Sequence, residues 1–234
     1  MTLPFSETSL VRDIVNALPK SSDLFKKYRI DFCCGGNIPL NQAVAEKDAV
    51  IIDELMKQLE EIYSLDKNSK EDIEVWTDSE STVIIEHIKN HYHRTLEVEL
   101  ANLSPYVTKV AKVHGAHHPE LIKVYDLFYE LKRELLEHTA KEEATVFPML
   151  LKLDEPNVEN REEIINHLIE LEKEHDHAGS ILKNLRDITS DFTPPLDACG
   201  TYRLVYSRLE GLEEHTFMHV HLENNILFPR YFEA

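Results

Sequence analysis

HVHLENNILFP, residues 219–229, and HTAKEEATVFP, residues 138–148, are two versions of one pattern, H-x3-E-x4-F-P, set 81 residues apart. In a helix the His and the Glu of each copy, His138 with Glu142 and His219 with Glu223, project from the same side one turn apart. A single His-x3-Glu is ordinarily an exposed pair worth about 0.2–0.5 kcal/mol. Repetition changes its weight. Working outward, each copy is preceded by a lone histidine at nearly the same interval: His93 stands 45 residues before His138, and His175 stands 44 residues before His219. The order His, His-x3-Glu, His, His-x3-Glu reads as a duplicated two-helix hairpin.

The surrounding residues support helices. Ile85, Ile88, Tyr92, Leu96 and Leu103 recur at helical steps beside His93, and Leu121, Val124, Phe128, Leu131 and Leu135 lead in phase to His138 and Glu142. Ile164, Leu168, Leu171 and Leu182 frame His175, and a fourth stripe runs through Val205, Arg208, Leu212 and His215 to His219, Glu223 and Ile226. Stripes of this kind give each helix one face to bury, which predicts an all-α protein built around an up-down four-helix bundle. The polar groups continue those stripes, so they are buried with them. A buried carboxylate is costly unless it is paired or bound to a metal.

Four imidazoles and two carboxylates exceed the four ligands of a structural zinc. Two ions sharing carboxylates suit the number, and a nitrogen and oxygen set without thiolate suits iron or manganese, with iron the first choice. Phe147-Pro148 and Phe228-Pro229 are expected to close the helix ends after each motif, because proline removes a backbone donor. Among the other histidines, His215 reads as a core residue. His177 and His221 should turn away from the site, two residues from proposed ligands. The sequence does not place His114.

Composition sets the context. The chain has 234 residues and a net charge of −18, which argues against a nucleic-acid partner, since such partners are held by Lys and Arg. There is no signal-peptide pattern and no apolar run long enough to span a bilayer, so a cytoplasmic protein with no membrane partner is expected. Three cysteines, Cys33, Cys34 and Cys199, do not make a secreted disulfide framework. Breaks at Pro19, Gly35-Gly36 and Pro39 divide residues 1–63 into short helices, predicting a small N-terminal helical domain. SLDKNSKEDIEVWTDSES, residues 64–81, reads as a linker, and residues 82–234 as the bundle. In YRIDFCCGGN, residues 28–37, two glycines let the backbone turn beneath the adjacent thiols. Cys33 and Cys34 are therefore candidate reactive thiols for iron transfer, nitrosyl or oxidant chemistry, or an intersubunit disulfide, against a purely buried role. Cys199, after a Pro-Pro stop, reads as structural.

Taken together, YRIDFCCGGN, HTAKEEATVFP, EHDHAG, PPLDACGTYRLVY and HLENNILFPR resemble the iron–sulfur cluster repair di-iron proteins, the repair-of-iron-centres family of the ScdA type, over almost the whole chain. The resemblance implies a hemerythrin-like bundle holding two non-haem iron ions. It assigns His93, His138, His175 and His219 as terminal ligands and Glu142 and Glu223 as bridging carboxylates. It further implies a cytoplasmic protein, often a homodimer, that restores damaged iron–sulfur proteins after nitrosative or oxidative stress by supplying iron. A repair factor is thus favoured over an enzyme. The alternatives are reduction of nitric oxide or peroxide at the centre, and an oxygen or redox stress sensor.

Overall fold

The computed structural model describes residues 3–45, 50–68, 76–153 and 161–232. Within them, regular structure is helical apart from one isolated antiparallel bridge between Leu10 and Pro39. The protein is all-α. Helices α1 (Val11–Ala17), α2 (Ser21–Lys27), α3 (Leu40–Ala43) and α4 (Val50–Asn68) come first. Four long helices follow. In α5 (81–114) a π-helical turn, Ile88–His93, joins Ser81–His87 to Arg94–His114. In α6 (120–153) the π turn Glu142–Val146 joins Glu120–Lys141 to Phe147–Leu153. Helix α7 is Arg161–Ile188. In α8 (200–232) Gly200–Leu222 passes through the π turn Glu223–Leu227 to a last turn, Pro229–Phe232. Of the stretch 64–81, residues 64–68 belong to α4, Trp76–Asp78 form a 3-10 turn, Ser81 opens α5, and 69–75 lie outside the described residues.

The chain divides into two compact units, residues 1–80 with 220–234, and residues 81–219. In the second unit α6 packs against α5 and α7, and Tyr202, Val205, Tyr206, Leu209 and Leu212 bring α8 into the same core. Phe128, Leu131, Leu100, Leu103 and Leu185 are fully buried there, each side chain contributing about 1.5–3 kcal/mol through removal from water. Arg208, which falls on the apolar stripe of α8, is half-buried at its border and donates two 2.7 Å bonds to Glu99 of α5. Pro105 sits inside α5 on its solvent face, where water can satisfy the carbonyl that loses its partner.

The first unit buries Val11, Ile14, Leu18, Phe25, Leu40, Leu55 and Leu59. Residues 36–41 are pinned to α1 and the residues before it by backbone bonds from Val11 to Ile38, Arg12 to Gly36 and Leu40 to Ser9. Gly36 is required by close approach, not by its dihedral angles, because a Cβ there would lie 2.4 Å from the Phe32 carbonyl oxygen. At the end of α8, Arg230 donates to the carbonyls of Ser79, Trp76 and Thr77, fixing the 3-10 turn.

The two Phe-Pro steps do not end their helices. Proline cannot donate a hydrogen bond, and its ring crowds the carbonyl four residues back. The preceding turn widens instead, so the N–H of Phe147 bonds to the Glu142 carbonyl and that of Phe228 to the Glu223 carbonyl, 2.8 Å away.

A buried ion pair ties α7 to α8 across the bundle. Arg186 Nε lies 2.9 and 3.1 Å from the two carboxylate oxygens of Glu213, whose side chain is 1% exposed, and Nη2 donates to the same group. Replacing Arg186 by Met strands a buried carboxylate, so urea denaturation of the metal-free protein should show a loss of about 3–5 kcal/mol. The double variant Arg186→Met/Glu213→Leu should recover most of it.

Candidate metal centre

The six candidate ligands come together inside the helices. His93, Glu142, His175, His219 and Glu223 are at most 2% exposed and His138 is 6% exposed. The imidazoles meet in two pairs through their inner nitrogens, His93 Nε2 with His219 Nε2 at 3.1 Å and His138 Nε2 with His175 Nε2 at 2.9 Å. Glu142 reaches both pairs, with Oε2 lying 3.3 Å from His93 Nε2 and Oε1 3.2 Å from His138 Nε2. Glu223 stands four residues beyond His219 on the same unbroken helix and completes both groups. These are His93, Glu142, His219 and Glu223, and His138, Glu142, His175 and Glu223, with the donor atoms of each within 4.8 Å of one another.

The local backbone explains part of this placement. His93 closes one π turn, and Glu142 and Glu223 open the other two. A π turn inserts one residue and rotates the side chains that follow, so a ligand can sit at the core without displacing the apolar stripe on either side. The prolines after Phe147 and Phe228 therefore act through the turn that carries each carboxylate.

Two carboxylates outside the six hold the rings in place. His93 Nδ1 is 2.8 Å from Glu143 Oε1, and His138 Nδ1 is 2.7 Å from Glu174 Oε2. Each carboxylate accepts the outer N–H, which fixes the tautomer and leaves the Nε2 lone pair pointing inward. Cations support both. Arg94 donates to Glu143, and Lys141 lies 2.8 Å from Glu174 Oε1. Partial burial pushes Glu143 up, but hydrogen bonds from His93 and Arg94 outweigh it and bring the group below the usual carboxylate range. Glu174 is held down to about 2 by the hydrogen bond from His138, against burial and with help from Lys141. On the other faces, Phe147 stacks on His93 at 5.8 Å between ring centroids and Tyr92 stacks on His219 at 5.5 Å. Burial raises Tyr92 to about 12, so this ring is neutral.

Such a donor set fits a metal. Four imidazoles with Nε2 turned inward and two fully buried carboxylates bring nitrogen and oxygen donors together, and the absence of sulfur favours ions of intermediate hardness. Sequence reasoning did not identify Glu143, Glu174 and Tyr92. Their signal was adjacency alone: each sits next to a proposed ligand, but which neighbour reaches which ring depends on how the helices pack.

The remaining candidates fall elsewhere. His215 is half-buried, accepts no role among the six, and donates from Nε2 to the Tyr92 carbonyl at 3.0 Å. Burial lowers its pKa. His177 is exposed beside Glu130 at 3.6 Å. His221 faces away from the six but is fully engaged. Its Nε2 lies 2.9 Å from Asn16 Oδ1 and its Nδ1 3.2 Å from the Phe32 carbonyl, with burial lowering its pKa to about 4. Cys199, expected to be structural, is exposed, with its thiol 3.3 Å from His114 Nε2. Cys33 is buried and Cys34 half-buried. They form a separate group with Asp31, and the hydrogen bond between the two thiols, then burial, raise Cys33 well above its usual range.

Residues 83–231 match the hemerythrin HHE cation binding domain, so the bundle is a hemerythrin-like metal-binding domain. Residues 7–63 match ScdA_N, a domain of unknown function. The chain is 44% identical to the iron-sulfur cluster repair protein ScdA of Staphylococcus haemolyticus over 227 residues, covering 95% of this chain and 97% of that one. It is 33% identical to the iron-sulfur cluster repair protein YtfE of Escherichia coli, covering 93% and 94%, and 31% identical to a probable iron-sulfur cluster repair protein of Haemophilus influenzae, with the same coverage. The chain belongs to the hemerythrin-like iron–sulfur cluster repair family.

If Glu143 and Glu174 orient the rings, Glu143→Gln and Glu174→Gln should each lower metal affinity by about 10–100-fold with the helical circular dichroism unchanged. Titration against a competing chelator measures this.

Proposed function

We propose that this protein holds two iron ions in the His/Glu centre and restores iron–sulfur clusters damaged by nitrosative or oxidative stress by donating iron. The observation that carries the reading is a fully buried Glu142 whose two oxygens each reach one member of an Nε2-paired set of histidines, His93 with His219 and His138 with His175. His93 and His219 would hold one ion and His138 and His175 the other, with Glu142 and Glu223 shared between them. Bound there, iron would supply an exchangeable divalent cation and a redox-active pair. The chain's own residues keep that cation deliverable. Six donors shared by two ions leave coordination positions open, and no thiolate contributes a strong soft bond. Glu143 and Glu174 accept the Nδ1 protons of His93 and His138, so Nε2 is the atom that each neutral ring has left to offer an ion. The damaged clusters belong to other proteins, which are the proposed partners. A homodimer working in the cytoplasm is part of the same proposal. Among the described residues no helix is long and apolar enough to cross a membrane.

The test is metal analysis and Mössbauer spectroscopy of anaerobically purified protein, followed by transfer of isotopically labelled iron to an apo iron–sulfur acceptor. About two coupled irons per chain are expected, lost in both Glu142→Ala and Glu223→Ala, with label appearing in the acceptor. Quantitative retention of iron beside the acceptor would exclude donation. Steady nitrous oxide production with a reductant would then favour turnover of nitric oxide.

A further inference from the structure

We propose that Asp31, Cys33 and Cys34 form a second metal site, a thiolate site in the first unit that takes a four-coordinate borderline ion of the Zn2+ or Fe2+ class. It does not depend on iron occupying the His/Glu centre. The argument is geometric. Cys33 Sγ and Cys34 Sγ lie 3.8 Å apart, and Asp31 Oδ1 lies 3.5 Å from Cys33 Sγ. Two metal–sulfur bonds of about 2.3 Å at the tetrahedral angle place their sulfurs about 3.8 Å apart, and a bond of about 2.0 Å to oxygen places that oxygen about 3.5 Å from sulfur. Both separations match edges of such a tetrahedron, and the third, between Asp31 and Cys34, is bounded at 4.8 Å. They do not suit a disulfide, whose sulfurs are about 2.05 Å apart. One donor atom from each of the three residues falls within 4.8 Å of the others.

The turn is held in this form before any ion binds. Asp31 Oδ1 accepts the backbone N–H groups of Cys33 at 3.2 Å, Cys34 at 3.0 Å and Gly35 at 3.0 Å, which draws both cysteines round to one side of the carboxylate. From the end of α8, Asn225 Nδ2 donates to the Cys33 carbonyl at 2.9 Å, and His221, braced on Asn16, meets the Phe32 carbonyl. Little reorganisation remains to be made on binding, which favours affinity. Three protein donors leave the fourth position to water or to an incoming thiol, and Cys34 is open enough for an ion to enter. The step is an exchange without redox: both thiols lose their protons to solvent, two metal–sulfur bonds form, and the ion sheds water.

The probe is Co2+ titrated anaerobically into the reduced, metal-free full-length chain. Sulfur-to-cobalt charge transfer in the near ultraviolet reports thiolate coordination alone, because the His/Glu centre contains no sulfur. A saturable charge-transfer band with the intensity of one dithiolate-bound ion per chain is expected, unchanged in Cys199→Ser and absent in Cys33→Ser/Cys34→Ser. Asp31→Asn should weaken binding by about tenfold or more. The double serine variant must keep its helical circular dichroism and the visible cobalt bands of the His/Glu centre. Should it not fold, Cys34→Ser alone, at the more open position, must weaken the band. The proposal is overturned by no sulfur band in the unaltered chain, by a band that survives loss of both cysteines, or by one that disappears with Cys199.

Discussion

Two carboxylates placed at zero exposure in the middle of an apolar helical interior are the constraint on which the rest of this structure turns. Ionised groups of this kind cost several kcal/mol each to bring out of water. The chain answers with four imidazoles around them, and then with a further layer that holds the imidazoles. Each layer solves the electrostatic problem of the one inside it. Glu143 and Glu174 carry the outermost charge to a depth where Arg94 and Lys141 can still reach it from near the surface.

The helix geometry follows from the same requirement. A regular helix carries its apolar stripe and its ligands in one continuous phase, and packing alone fixes that phase. The π turns at Ile88–His93, Glu142–Val146 and Glu223–Leu227 let the His and Glu positions depart from it locally while Leu135 and Leu150, on either side of the turn in α6, remain in the core. The proline two residues after each of the last two π turns makes the wide turn the favourable one, since the narrow turn would need a donor that proline lacks.

The duplication is close in the six His and Glu residues and looser around them. Glu143 anchors His93, but the residue at the equivalent place in the second copy is Asn224. Glu174 anchors His138, but its counterpart before His93 is Tyr92, which stacks on His219 instead. The two histidine pairs therefore share a donor set and differ in what supports it. The two histidine pairs are chemically distinct despite their common pattern, as their surroundings differ.

The sequence by itself determined the helical class, the four stripes and the six polar residues that the structure buries together, because helical periodicity and a repeated motif are both visible in one dimension. It also marked the Cys-Cys turn. Tertiary structure alone decided which imidazoles pair, that Glu142 reaches both pairs, that Glu143 crosses to α5 and Glu174 to α6, and that His221 braces the Phe32–Cys33 turn. It also decided that Cys199 is exposed beside His114. These contacts join residues tens of positions apart, and no local pattern records them. Even the Phe-Pro steps, legible as breaks, became π turns only because the continuing helices were held by their packing on both sides. Periodicity says which face of a helix is buried; only the neighbouring helix says what that face will meet.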